Sequence, residues 1–164
     1  MNALPGVGGV EVYPIWNGGG TVRLAIVASD YSVPDPDLIE SVQTAVDPTT
    51  NQGKGVGFAP IGHVVTVTGV TSATVNITTE ITYQDEWDWD DVKSYAEAAV
   101  DSYFTELAQA WDDNDTLIVR ISQIETRFLD LPGIVDIANT TLNGIAANLI
   151  LGADEIPVRG DIHD

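Results

Sequence analysis

Residues 74–83, TVNITTEITY, alternate apolar and polar with near-complete regularity. Val75, Ile77, Ile81 and Tyr83 fall on one face, and Asn76, Thr78, Glu80 and Thr82 on the other. A period of two belongs to a β-strand, and one polar face means an antiparallel strand with one side in water. A few residues on, the period changes. Between Asp88 and Trp111 the apolar residues Val92, Ala96, Ala99, Tyr103, Leu107 and Trp111 recur at helical spacing. The acids of DEWDWDD stand where the positive end of that helix would lie. A one-sided strand needs something to cover its apolar face, and the helix after it carries a matching stripe. That pairing restricts the chain to mixed helix-and-sheet architectures.

The remaining segments fit the same picture. VEVYPIW (10–16) reads as a strand, with Pro14 favouring an edge position. NGGG turns into TVRLAIVAS (21–29), which is apolar on both faces and so expected at the centre of a sheet. DPDLIESVQTAVDP predicts a helix capped by Asp35, with Pro36 in its first turn and Asp47-Pro48 as its stop. HVVTVTGV (63–70) predicts a strand. TLIVR predicts a short strand, and ISQIETRFLDLPG a short helix with Ile121, Ile124 and Phe128 inward. IVDIANTTL and IAANLIL flank Asn143-Gly144, a strong two-residue hairpin signal. DEIPVRGDIHD is a last extended piece. The expectation is an α+β fold of two small, mainly antiparallel lobes, ββα-ββ then α-β-α-ββ. Residues 1–9 read as a linker, 10–72 as the first lobe and 73–164 as the second.

Charge bounds the partners. Twenty-five acidic residues, seventeen of them Asp, face six basic ones, for a formal net charge of -19. Such a field repels nucleic acid and anionic membrane surfaces. An Asp-rich, lysine-poor surface also fits high salt, where counterions screen self-repulsion over about 3 Å at 1 M. The longest apolar runs, such as GIAANLILG, are far shorter than a membrane span. The start, MNALPGVGGVEVYP, lacks the basic and apolar regions of a signal peptide. The absence of cysteine removes disulfides, thiolate metal sites and cysteine nucleophiles.

The most suggestive chemistry lies in NQGKGVGFAPIGHVVTV (51–67), which has the composition of a phosphate cradle. Its spacing does not fit one. Lys54 is followed by Gly55 rather than Ser or Thr, and a strand comes after the loop where a helix N-terminus would be needed. The dinucleotide fingerprint also fails, because the sixth position from Gly53 is Phe58 and from Gly55 is Pro60. The loop reads instead as a place where Gly53, Gly55 and Gly57 let the backbone pass close to the sheet or to a neighbouring subunit. The acidic runs lack the glycine and spacing of a calcium loop. Only His63 and His163 could serve a histidine-based triad, and neither H-E-x-x-H nor G-x-S-x-G occurs. No catalytic residue, metal site or cofactor site is expected. A carboxylate pair that meets only in the fold stays open. The alternative to a structural part is therefore a carbohydrate-binding or carbohydrate-cleaving module using Trp87, Trp89 and the nearby acids.

Several segments together resemble a known family. GKGVGFAPIG followed by a valine-rich strand is the most specific, and LPGIVDI with the later LNG is the second. With GGGTVRLAIVASD, VNITTEITY and ANLILGADEIPVRG, they stand in the order found in baseplate J-like proteins of tailed phages, of the Mu and PBSX-like type. The resemblance runs from residue 10 to 160. It implies a non-enzymatic wedge component of a virion tail baseplate. Its partners would be other baseplate and tail proteins in a ring around the tail-tip hub, with neither nucleic acid nor membrane involved. Typical members are longer, so this chain would be a C-terminal portion or a compact version. Gly53, Gly55, Gly57, Trp87 and Trp89 are then the expected interaction residues.

Overall fold

A computed structural model describes residues 4–164. The chain divides into two compact units, one ending at Thr71 and the other beginning at Ser72. The architecture is α+β, with three α-helices and eight strands among the described residues, in small, mainly antiparallel sheets, as the periodicities predict.

The first unit carries strands β1 (Val7–Pro14), β2 (Thr21–Ala28) and β3 (Val64–Gly69), with helix α1 (Pro36–Val46) between β2 and β3. The sheet order is β1-β2-β3, so the doubly apolar β2 is central and Pro14 lies on an edge strand. β1 begins at Val7, inside the stretch expected to be a linker, of which residues 1–3 lie outside the described residues. Gly8 there is a packing glycine. A Cβ on it would stand 2.3 Å from the Ala28 carbonyl oxygen, at a register irregularity between Val7 and Gly9. β2 and β3 run parallel, from Thr21↔Val64 to Ile26↔Gly69. That pairing departs from the antiparallel expectation. A parallel pair needs a long crossover, and α1 with its flanking loops supplies one. Asp35 caps α1, its carboxylate accepting from the Leu38 amide at 2.7 Å, and Pro36 opens the first turn. Val42 and Val46 of α1 pack with Leu24, Ile26, Val65 and Val67 in the core.

The second unit contains β4 (Thr71–Tyr83), α2 (Trp89–Gln109), β5 (Ile118–Val119), α3 (Ile121–Leu129), β6 (Ile134–Leu142), β7 (Leu149–Ile150) and β8 (Glu155–His163). β4 sits between β6 and β8, with Val75, Ile77 and Thr79 buried and Asn76, Thr78 and Glu80 exposed. Thr79 is the polar exception on the buried face, and its hydroxyl meets that of Thr140 on β6 at 2.8 Å. β6 is antiparallel to β4. Along the other side, Asp161 donates its amide to Asn76 and Asp164 accepts from the Ile81 amide, so β8 advances in the same direction as β4. α2 opens on a capping box in which the Asp88 side chain accepts from the Asp91 amide and Asp91 accepts from the Asp88 amide. Val92, Ala96, Val100, Tyr103, Phe104 and Ala108 form its buried stripe, and Ile124 and Phe128 that of α3.

The hairpin predicted at Asn143-Gly144 is only half made. Both residues have positive φ, 49° and 78°, as a two-residue turn requires. A single bridge, Leu142↔Ile145, closes it. The chain then leaves β6, and β7 pairs with β5 instead. The residues that would continue the ladder, Ala146 and Ala147, are exposed, whereas Leu151 is buried and donates its amide to Leu117 beside β5. Burial of that leucine outweighs a ladder that would cover no apolar surface.

Candidate interaction surfaces

The glycine loop is built on the end of α1. A helix leaves its last carbonyls without partners. Here Phe58 donates its amide to Ala45 at 3.1 Å and Ala59 donates to Val46 at 2.8 Å. Gly57 lies flat against that helix end, where a Cβ would stand 2.4 Å from the Val46 oxygen and 2.7 Å from the Ala45 oxygen. Gly53 and Gly55 hold φ of 71° and 68°, the left-handed region that glycine enters at little cost. Gly62 then donates to Gly53 at 2.8 Å and closes the loop on itself.

Two side chains do the fastening, Gln43 within α1 and Asp47, which the sequence marks only as the stop of that helix. Asp47 is buried, and its carboxylate accepts from the Gly53 amide and the Val65 amide, both at 2.9 Å. Gln43 accepts from the Val67 amide at 2.8 Å and donates to the Val65 carbonyl at 2.9 Å. β3 is an edge strand, and these two side chains occupy the backbone groups along its outer side. The sequence does carry a signal for Gln43, a polar residue set in the apolar stripe between Val42 and Val46. Asp47→Ala should destabilise the chain by about 2–4 kcal/mol, because the buried Val65 amide and the part-buried Gly53 amide both lose their acceptor. Urea unfolding measures this, and a loss below about 0.5 kcal/mol would contradict the assignment.

Pinned in this way, the loop presents its apolar side chains outward. Val56, Phe58 and Ile61 are 63%, 73% and 77% exposed. Beside them lies a concavity of about 300 Å³, lined by Val22, Leu24, Phe58, Ala59, Pro60 and Val65, with His63 also on its wall. The three glycines are therefore in one place, and what they position is an exposed apolar surface.

Trp87 and Trp89 are both half-buried at the start of α2. The Trp87 ring fills the space over Gly133, where an added Cβ would come within 2.1 Å of it. The Trp87 side chain thus packs on the turn before β6. Among the described residues no group of three or more His, Asp or Glu side chains is placed to hold a metal ion. Among the described residues, the strongly shifted titration is that of Tyr83. Burial, and then the Asp164 carboxylate that accepts its hydroxyl, push the phenol well above its ordinary range. That pairing fastens β4 to the residue after β8.

Comparison with known proteins places these features in a family. The baseplate J-like central domain matches residues 1–69, and the baseplate J-like protein C-terminal domain matches residues 75–163. The phage-like element PBSX protein XkdT of Bacillus subtilis (strain 168) is 36% identical over 159 residues, covering 97% of this chain and 44% of that protein. The uncharacterized protein YqbT of the same strain is 36% identical over 160 residues, covering 98% of this chain and again 44% of the relative. The chain thus spans less than half the length of these curated relatives. A chain in the cryo-EM structure of the anti-feeding prophage (AFP) baseplate, 6-fold symmetrised, shares the fold, with a TM-score of 0.62 and 11% identity over 98% of this chain and 35% of that one. With both domain matches in order along nearly its whole length, this chain belongs to the baseplate J-like family.

Proposed function

We propose that the chain is a structural part of a viral tail baseplate. In this reading it is a wedge component that joins copies of itself and other baseplate proteins in a ring at the tail tip, and it carries no catalytic centre. The observation behind this is the pair of domain matches, together with 36% identity to a PBSX protein along nearly all of the chain. The exposed loop surface supports it. A loop whose backbone is fixed by Asp47 and by the end of α1 holds Phe58 and Ile61 in water. Exposed apolar surface on a rigid support suits docking, because little ordering entropy is lost when a partner covers it. Gly53, Gly55 and Gly57 serve assembly by holding this loop, and Trp87 and Trp89 serve it less directly. The location is the virion tail, after synthesis in the host cytoplasm. The chain's place in a reconstruction of intact tails tests the reading, and its absence from the tail would end it.

A variant separates docking from folding. Phe58→Ser should change stability by less than about 0.5 kcal/mol, because the ring is already in water. It should nonetheless lower incorporation into tails severalfold in a complementation assay. Normal incorporation would remove the loop from the interface.

The net charge of -19 leads to a second expectation. Self-repulsion among the carboxylates should weaken the fold at low ionic strength, and salt should relieve it. Melting in KCl from about 0.1 M to about 2 M should raise Tm by several degrees, with most of the gain once the screening length falls to about 3 Å. A flat profile would sink the idea of adaptation to a saline host.

A further inference from the structure

The second unit has a groove of about 390 Å³ between α2, α3 and β5 that the loop surface does not explain. Leu107, Leu117 and Ile118 give it an apolar floor. Its charged lining runs against the rest of the molecule. Two of the chain's six basic residues, Arg120 and Arg127, line it, against one carboxylate, Glu106. Asp113 and Asp115 flank the lining residue Asn114, but they are not part of the wall.

The two arginines are held differently. The Arg127 guanidinium lies 4.5 Å above the Tyr103 ring, donates to Glu106 at 2.6 Å and donates to the Gln123 side chain at 2.8 Å. It is a fixed cation. Arg120 is held by its backbone, which donates to the Tyr103 hydroxyl at 3.0 Å. Its side chain is exposed and forms no ion pair among the described residues. Tyr103 thus orders both, one through its ring and one through its oxygen.

β5 adds a backbone edge. Leu151 donates to the Leu117 carbonyl, and Ile118 stands opposite Ile150. Bonded and non-bonded pairs alternate in an antiparallel ladder, so the N–H and C=O of Ile118 turn away from β7. Ile118 also lines the groove.

We propose that this groove docks an extended, acidic segment of a separate partner protein, its backbone running along β5 and a carboxylate held by Arg120 beside Arg127. Charge gives the reason for an acidic rather than a basic segment. A basic segment is drawn to almost any face of a chain with a net charge of -19, so charge cannot direct it to one place. A carboxylate is accepted only where a cation is free to receive it, and the groove has one. Strand addition supplies affinity through the backbone, and the arginine supplies the address.

The test is an NMR titration of the isotopically labelled full chain with a blocked pentapeptide, Val-Asp-Val-Asp-Val, and with its Asn and Lys counterparts. The expected result is saturable shifts confined to residues 103–127 with the acidic peptide and affinity about tenfold lower for the Asn peptide. R120Q, at an exposed position that leaves the fold intact, should weaken the acidic peptide by a similar factor, and R120K should restore part of it. Three results would overturn the proposal. One is equal binding of all three peptides, and another is no saturable shift in the groove up to about 5 mM peptide. The third is the same shifts on concentrating the chain alone, which would mean that a second copy fills the groove.

Discussion

Gly57→Val is expected to unfold the glycine loop and cost the chain about 3 kcal/mol or more. The reason is contact distance. A Cβ would stand 2.4 Å from the Val46 oxygen, which real side chains do not reach. That oxygen cannot retreat freely, because it accepts the Ala59 amide at 2.8 Å and belongs to the last turn of α1. Relief therefore requires the loop to lift. Lifting it strips the Ala45 and Val46 carbonyls of their partners and draws Gly53 away from the Asp47 carboxylate. Hydrogen exchange should show Ala59 and Val65 losing protection together. The control is Gly62→Ala. An added Cβ there meets nothing within 4 Å, and the positive φ of 86° alone should cost about 1–2 kcal/mol. Equal effects for the two variants would mean that backbone conformation, not close packing, explains the loop.

Trp111→Ala should be comparably severe, at about 3–5 kcal/mol, through the second unit. Trp111 comes after α2 in a short 3-10 turn and is fully buried. Its indole donates to the Ala153 carbonyl at 2.8 Å, tying the end of α2 to the segment before β8. Truncation leaves a large cavity and removes the donor that ties Ala153 to the end of α2. Trp111→Phe keeps most of the volume and loses the donor, so about 1–2 kcal/mol should remain as its cost. Equilibrium unfolding in urea separates the two. A Phe variant as damaged as the Ala variant would place the weight on the hydrogen bond instead.

The elements that are legible in the sequence are those whose signal is local. β4 alternates as predicted because one face is covered and the other is wet along its whole length. α1 and α2 start where Asp35 and Asp88 can cap them, since a cap depends on residues within one turn. The turn at Asn143-Gly144 forms because both residues tolerate positive φ. The path of the chain beyond that turn is not legible. Whether Leu149 and Ile150 pair with β6 or with β5 depends on where Leu151 finds burial, and its neighbour Leu117 is distant in sequence. The parallel register of β2 and β3 is hidden for the same reason, since two short apolar strands read alike in either direction.

The candidate surfaces divide in the same way. The spacing of the glycine loop is enough to reject the phosphate-loop motif, because that motif places a helix N-terminus directly after the loop and a strand stands there. The order of the family segments is likewise readable residue by residue, and it leads to the baseplate J-like family without the fold. Only the fold could show that Gly57 lies on the end of α1, that Asp47 and Gln43 close the edge of β3, and that Tyr103 gathers Arg120 and Arg127 into one groove. Each of these joins residues that one turn of helix or one hairpin cannot bring together. Periodicity and capping report what a residue does with its near neighbours. Contacts across the core are settled by which apolar surfaces meet, and the sequence alone does not state that pairing.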